Sequence, residues 1–147
     1  MLMPAFNPKW TLRRSPRSRT GCRMEMTSEE LDRWASAYIS FQLDGLRPSA
    51  AHPLWWAVEL FMSEPGAERC WAAILTILAK EPPDPVIEML AAGPLEDLIE
   101  YAGARYIDRI ETEARRNPAF RSLLGGVWKS SSPEIWGRVE AARGEAW

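Results

Sequence analysis

The sequence contains one histidine, His52, and two cysteines, Cys22 and Cys70, in 147 residues. Two separated cysteines and one histidine supply neither a disulfide framework nor the ligands of a zinc site. No serine lies in a nucleophile elbow, and no glycine-rich phosphate loop or CxxC pair occurs. A lone histidine just before Pro53 is more typical of a solvated or helix-capping residue than of a general base. The sequence therefore predicts no metal, no cofactor and no catalytic residue, and enzymatic activity is the less favoured interpretation.

Long apolar runs are also missing. None reaches the ~18–20 residues that span a bilayer. The first 25 residues lack the apolar stretch of a secretory signal, and so sparse a use of cysteine fits a reducing compartment. We expect a cytoplasmic protein that does not insert in a membrane.

Positive charge is scarce outside the first 25 residues. That leader holds six of the 18 Lys and Arg residues and one of the 20 acids, so it carries +5 and the remainder −7. The favoured interpretation is a disordered basic leader, residues 1–25, with the natural start at Met24 or Met26. The alternative is a basic arm for nucleic acid or an anionic membrane. Without a genuine leader, nucleic acid is an unlikely partner of so acidic a body.

Strand signals are nearly absent from the rest of the chain, whereas helix signals recur throughout it. Thr27 and Glu30 form a capping box, and Asp84, Asn117 and Ser132 each precede a proline as an N-cap would. Gly93-Pro94 is expected to end one helix and begin the next, and Gly103 to separate that helix from another. We predict an all-α domain over residues 26–147, either a compact bundle of seven or eight short helices or a stack of helical hairpins.

The sequence has 46% apolar residues and eight tryptophans, enough to fill one core. Most of the tryptophans fall in apolar helical stripes. Trp55 and Trp56 are adjacent and cannot both point inward, so one of them is expected at a rim, where an exposed indole could anchor a partner. In a second helix, about Pro53 to Met62, we expect Leu54, Trp55, Val58, Phe61 and Met62 to face inward and Glu59 outward.

Acidic residues cluster at "GPLED". If Pro94 begins a helix, Glu96 is at N3, where a carboxylate binds a free backbone N–H. Capping is therefore the favoured role of Glu96, and a ligand-facing acid is the alternative. Asp97 either meets water or pairs with Arg105 or Arg121.

The stretch "AAGPLEDLIEYAGARYIDRIETEARRNPAFRSLLGGVW" resembles the bacterial domain-of-unknown-function family 6869. The likeness extends through "ERCWAAILTIL" and "ELDRWASAYISFQ", so that it covers about residues 27–143. It implies a small, stand-alone, all-helical bacterial protein without an assigned activity, and it transfers no functional residues. Where the family pattern leads us to expect a His-Gly pair, this chain has Ala102-Gly103, which argues mildly against catalysis.

The leading hypothesis is a non-catalytic protein-interaction module of immunity type or regulatory type, whose protein partner is unknown. The rival is a small-ligand-binding protein or enzyme with a carboxylate and arginine pocket near the GPLED helix. The candidate binding residues are Glu96, Asp97, Arg105, Asp108, Arg121, Trp128 and Trp56.

Overall fold

The computed structural model describes residues 26–44, 50–62 and 66–147, and these residues form helices and no strands. The all-α prediction is confirmed, whereas the predictions for the leader lie outside the described residues. The helices are α1 (Ser28–Leu43), α2 (Trp55–Met62), α3 (Ala67–Ala79), α4 (Asp84–Leu90), α5 (Glu96–Arg116), α6 (Pro118–Leu124) and α7 (Pro133–Ala142), with a π-helical turn, Ala91–Leu95, between α4 and α5.

In this part of the chain the helices number six, not seven or eight, because α4, the π-helical turn and α5 are continuous. Gly93 does not end a helix, and Pro94 lies inside one. In a regular α-helix the ring of Pro94 would clash with the carbonyl four residues earlier, and its missing N–H would leave that carbonyl unpaired. A π-helical turn takes in one extra residue, so the chain passes the proline without breaking.

The predicted boundary at Gly103 is present one residue earlier, as a kink inside α5. The backbone departs from helical geometry at Ala102, with φ −130° and ψ 17°, and two helical segments meet there. A Cβ at Gly103 would lie 3.1 Å from the side chains of both Ser131 and Ile135. The glycine therefore permits close packing of the α7 region on α5 next to the kink.

The sequence predicted the starts of α1, α6 and α7. The reciprocal capping box of Thr27 and Glu30 begins α1, and the side chains of Asn117 and Ser132 cap α6 and α7. The prediction was wrong for α4, since Pro83 is its N-cap and Asp84 its first residue.

One hydrophobic core joins the helices, with α1 packed on α3 and α4, and α5 packed on α6 and α7. The indole Nε1 of Trp34 donates to the Ala57 carbonyl at 2.8 Å and so ties α1 to α2. Trp71 and Trp136 are buried, as their stripes predicted.

None of the described helices combines the length and the apolar character that a membrane crossing requires.

Helix α2 begins two residues later than predicted and sits less deeply in the core. Ala57 is its one fully buried residue, and Met62 is 63% exposed instead of inward. Glu59 is half-buried rather than outward. Trp55 and Trp56 are both half-buried. Helix α2 lies at the edge of the core, so several of its faces are partly covered and none is fully buried apart from Ala57.

Candidate functional site

An open apolar groove of about 640 Å³ lies between the end of α2, the start of α3 and the first half of α5. Its apolar lining includes Phe61, Met62, Cys70, Leu98 and Tyr101. Pro94 lines it as well, so the π-helical turn forms part of one wall. A volume of this size falls within the range of ligand-binding clefts.

Two large apolar side chains of the groove face water. Tyr101 is 82% exposed and Met62 is 63% exposed. Single exposed apolar residues are ordinary, but here two of them border one concave surface. The groove therefore has the composition of a binding surface rather than of a solvated face.

Asp97 and Arg105 line the same groove. No ion pair of either residue occurs within the described residues. Partial burial raises the pKa of Asp97, and the neighbouring Glu100 raises it further. Of the two outcomes left open by the sequence, Asp97 meets water and is not paired with Arg105 or Arg121.

Glu96 does not cap a helix, so the favoured prediction for this residue was wrong. The residue before α5, Leu95, has helical dihedral angles and no side-chain cap bond, because the π-helical turn runs directly into α5. Burial raises the pKa of Glu96, with further contributions from Asp97 and then Glu100. Glu96, Asp97 and Glu100 thus form a cluster of like charge. Asp97 is the member that lines the groove, and we call this cluster the acidic end of the groove.

Asp108 lies outside the groove in an ion-pair network that joins α5 to α7. The Arg138 guanidinium donates to Asp108 at 2.7 Å and to both Glu111 carboxylate oxygens at 2.7 and 2.9 Å. Hydrogen bonding to Arg138 lowers the pKa of Glu111. Asp108 therefore has a cross-helix partner that accounts for it without a ligand.

The remaining candidates are also separate from the groove. Arg121 borders a second pocket, of about 410 Å³, together with Arg115, Ser122 and Trp147. Trp128 is 75% exposed and lines neither pocket. Trp56 packs against the core from a half-buried position. Of the seven candidates, Asp97 and Arg105 line the same groove. Asp108, Arg121 and Trp128 do not line it, so the single pocket that the rival hypothesis requires is not formed by these residues.

His52 has both ring nitrogens engaged. Its Nδ1 accepts from the Leu54 backbone N–H at 3.0 Å, and its Nε2 contacts the Asp44 carboxylate. The ring packs edge-on against Phe41, with ring centroids 4.8 Å apart. Because Leu54 precedes Trp55, the first residue of α2, His52 stabilises the loop before the helix, and the prediction of a solvated or helix-capping residue stays a prediction.

A cluster that the sequence did not reveal connects α3 to α5. Glu68 accepts from the Tyr106 hydroxyl at 2.8 Å and from Arg109 at 2.8 and 3.2 Å, and the Arg109 guanidinium lies 5.3 Å from the Trp71 ring centroid. Hydrogen bonding to Arg109 lowers the pKa of Glu68. No local pattern predicts it, because Glu68 and its partners are about forty residues apart.

Glu113 was missed as well. It is a buried carboxylate that accepts from Arg116 at 2.8 and 3.1 Å and from the Asn117 side-chain amide at 2.9 Å. Asn117 in turn caps α6. Glu113 therefore fixes the junction between α5 and α6, and a structural role accounts for its burial.

No group of three or more His, Cys, Asp or Glu side chains is placed to hold a metal ion in the described ranges.

No curated protein and no solved structure matches the chain. Residues 46–147 match the profile of a family described as a family of unknown function, DUF6869. The match covers the groove and every helix after α1. Since it spans more than half of the sequence, the chain belongs to that family.

Proposed function

We propose that the protein is a non-catalytic interaction module that binds a partner protein through the apolar groove. One observation carries the proposal: Met62 and Tyr101 are exposed on a concave, largely apolar surface. Asp97 and Arg105 line the same surface and form no ion pair with any residue that the structure describes. Interface cores are enriched in Tyr and Met, and their rims are polar. An immunity-type or regulatory role suits the small size and acidic body of the chain. This role and a location in a bacterial cytoplasm are parts of the proposal.

The test is affinity capture from an extract of the native host, with the wild-type chain compared with Tyr101→Asp. A charge in the centre of the groove should abolish capture of the specific partner. Trp128→Asp is the matched control, since Trp128 is another highly exposed aromatic residue that does not line the groove. Equal capture by all three chains, or no partner at any salt concentration, would count against the proposal.

A small-ligand-binding protein is the second candidate, because the groove combines a suitable volume with Asp97 and Arg105. It requires a ligand that remains bound on an open surface. Native mass spectrometry of the protein purified from its host would detect such a ligand. A co-purifying mass that disappears in Arg105→Ala and persists in Arg121→Ala would favour this candidate over the first.

A further inference from the structure

The two ends of the groove carry opposite charges that lack ion-pair partners. At the acidic end the pKa values of Glu96 and Asp97 are raised, and no cation contributes to either shift. At the other end Arg105 lines the groove and makes no ion pair within the described ranges. By contrast, Arg109 and Arg138, on α5 and α7, are each bound to carboxylates. Arg115 on α5 and Glu134 on α7 also have no ion pair among the described residues, but Asp97 and Arg105 are the two that line the groove.

The spacing of these charges follows from helix geometry. Asp97, Tyr101 and Arg105 are four residues apart in sequence, and all three side chains line the groove. Eight residues of α-helix rise about 12 Å, and the kink at Ala102 lies within this span, so Asp97 and Arg105 are about two helical turns apart along a bent helix, with Tyr101 between them. A single small zwitterion, whose charges are only a few bonds apart, does not span that distance.

The backbone around the groove favours a helical occupant. The described residues contain no strand, so the groove offers no sheet edge to pair with the backbone of an extended peptide. A helix satisfies its own backbone hydrogen bonds and needs only a place for its apolar face. The walls supplied by α2, α3 and α5 provide such a place.

We propose that the apolar groove binds an amphipathic helix of a partner protein. A Lys or Arg of this helix pairs with Asp97, and an Asp or Glu about two turns away pairs with Arg105. An apolar side chain between them packs on Met62 and Tyr101. The proposal rests on the proposed function and adds the chemistry of the partner. The net charge of −7 on residues 26–147 would attract a partner that is basic overall.

The experiment is a selection from a displayed library of amphipathic helical peptides about 18 residues long, with the full chain as bait and Tyr101→Asp for counter-selection. Selected peptides should be enriched in one basic and one acidic position about seven or eight residues apart, which matches two helical turns. Fluorescence anisotropy of one labelled selected peptide then measures its affinity for the charge-reversal variants. Asp97→Lys and Arg105→Glu should each weaken binding about three- to thirtyfold, as expected when an exposed ion pair becomes a repulsive one.

Rescue is the decisive step. A peptide whose basic residue is changed to Glu should recover affinity for Asp97→Lys, and one whose acid is changed to Lys should recover affinity for Arg105→Glu. Arg121→Glu and Glu88→Lys are matched controls, since both residues are exposed and do not line the groove. Circular dichroism checks that each variant is folded.

Selected peptides that lack the predicted spacing of one basic and one acidic residue would overturn this inference. So would charge-reversal variants whose affinity for the peptide is neither reduced nor recovered by the altered peptides. Host-extract capture that still depends on Tyr101 would then leave the proposed function standing. A dimer in sedimentation equilibrium that dissociates on Met62→Asp, but not on Met89→Asp, would show a second copy in the groove and would likewise overturn the inference.

Discussion

At the scale of single residues, the polar side chains differ in whether the fold itself supplies their partners. Glu113 is buried and receives three hydrogen bonds from two neighbours. Asp97 receives none that the structure describes, although its pKa is raised by partial burial. A carboxylate with partners stabilises the fold, whereas one without them remains available to a ligand.

Glu113→Ala should lower the free energy of unfolding by about 1–3 kcal/mol, because the Asn117 amide and the Arg116 guanidinium lose a buried acceptor. Urea unfolding followed by circular dichroism measures the change. Glu140→Ala is the control, since the Glu140–Arg143 contact is 3.8 Å long and Glu140 is half-exposed. That control should cost less than about 0.5 kcal/mol, and equal effects of the two changes would contradict the structural role of Glu113.

The pKa values of the Glu68 and Asp97 carboxyl groups should be shifted in opposite directions from their ordinary values. Arg109 lowers the pKa of Glu68 below 4.5, so its contribution to stability is present above pH 4.5 and is lost as the pH falls through the folded-state pKa. Burial raises the pKa of Asp97 above 3.8, so its contribution is present below pH 3.8 and is lost as the pH rises through the folded-state pKa.

Carbon-detected NMR titration of the side-chain carboxyls measures both pKa values. In Arg109→Ala the midpoint of Glu68 should move up towards 4.5, while that of Asp97 stays where it was. A Glu68 midpoint that does not respond to the loss of Arg109 would show that the ion pair does not form in solution.

At the scale of helices, local chemistry predicted the helix starts at which a side chain caps the first turn. The capping box at Thr27 and the Asn117 and Ser132 caps depend on a few consecutive residues, so the sequence was sufficient. Gly93-Pro94 has the local pattern of a break, yet the π-helical turn keeps the helix continuous there. Pro94, Leu95, Leu98 and Ile99 are buried along this run, and packing of that kind depends on residues distant in sequence.

The segment after α7 packs on Gly125-Gly126, and glycine is required there by contact rather than by backbone angle. A Cβ on Gly126 would lie 2.3 Å from the Trp147 ring, whose Nε1 donates to the Ser122 carbonyl at 2.8 Å. Gly126→Ala should therefore displace Trp147. Carboxypeptidase digestion should become faster, and the indole N–H resonance of Trp147 should shift towards its free value.

Gly137→Ala is the matched control for this change. Gly137 lies within α7, and open space surrounds the position that an alanine methyl group would take. Alanine there should raise stability by about 0.5–1 kcal/mol and leave Trp147 bound. Unchanged digestion of Gly126→Ala would contradict the contact.

At the scale of the whole molecule, the groove is the feature that the sequence could least predict. Its walls come from α2, α3 and α5, and the relative placement of those helices is set by packing of the core. Asp97 and Arg105 could be singled out as charged residues near the GPLED motif. Met62 could not, because its helical pattern indicated an inward side chain and the shallow seating of α2 exposes it.

A chain that begins at Met26 should keep the fold of the 147-residue chain. The capping box of Thr27 and Glu30 completes the start of α1 without any earlier residue, and the core that holds the helices together lies between Trp34 and Val139. Thermal unfolding followed by circular dichroism should give midpoints within about 4 °C of each other, which corresponds to less than about 1 kcal/mol. A fall of more than about 10 °C would show that residues 1–25 contribute to the folded state.

The π-helical turn also sets the rotational phase between α4 and α5. Each residue of an α-helix turns the chain by about 100°, so one residue more or fewer in Ala91–Leu95 would rotate α5 about its axis by that angle. Such a rotation would carry Tyr101 away from the groove and turn charged side chains towards the core. Family members that share this groove should therefore tolerate substitution at Gly93, where a Cβ meets open space, but neither insertion nor deletion within the turn.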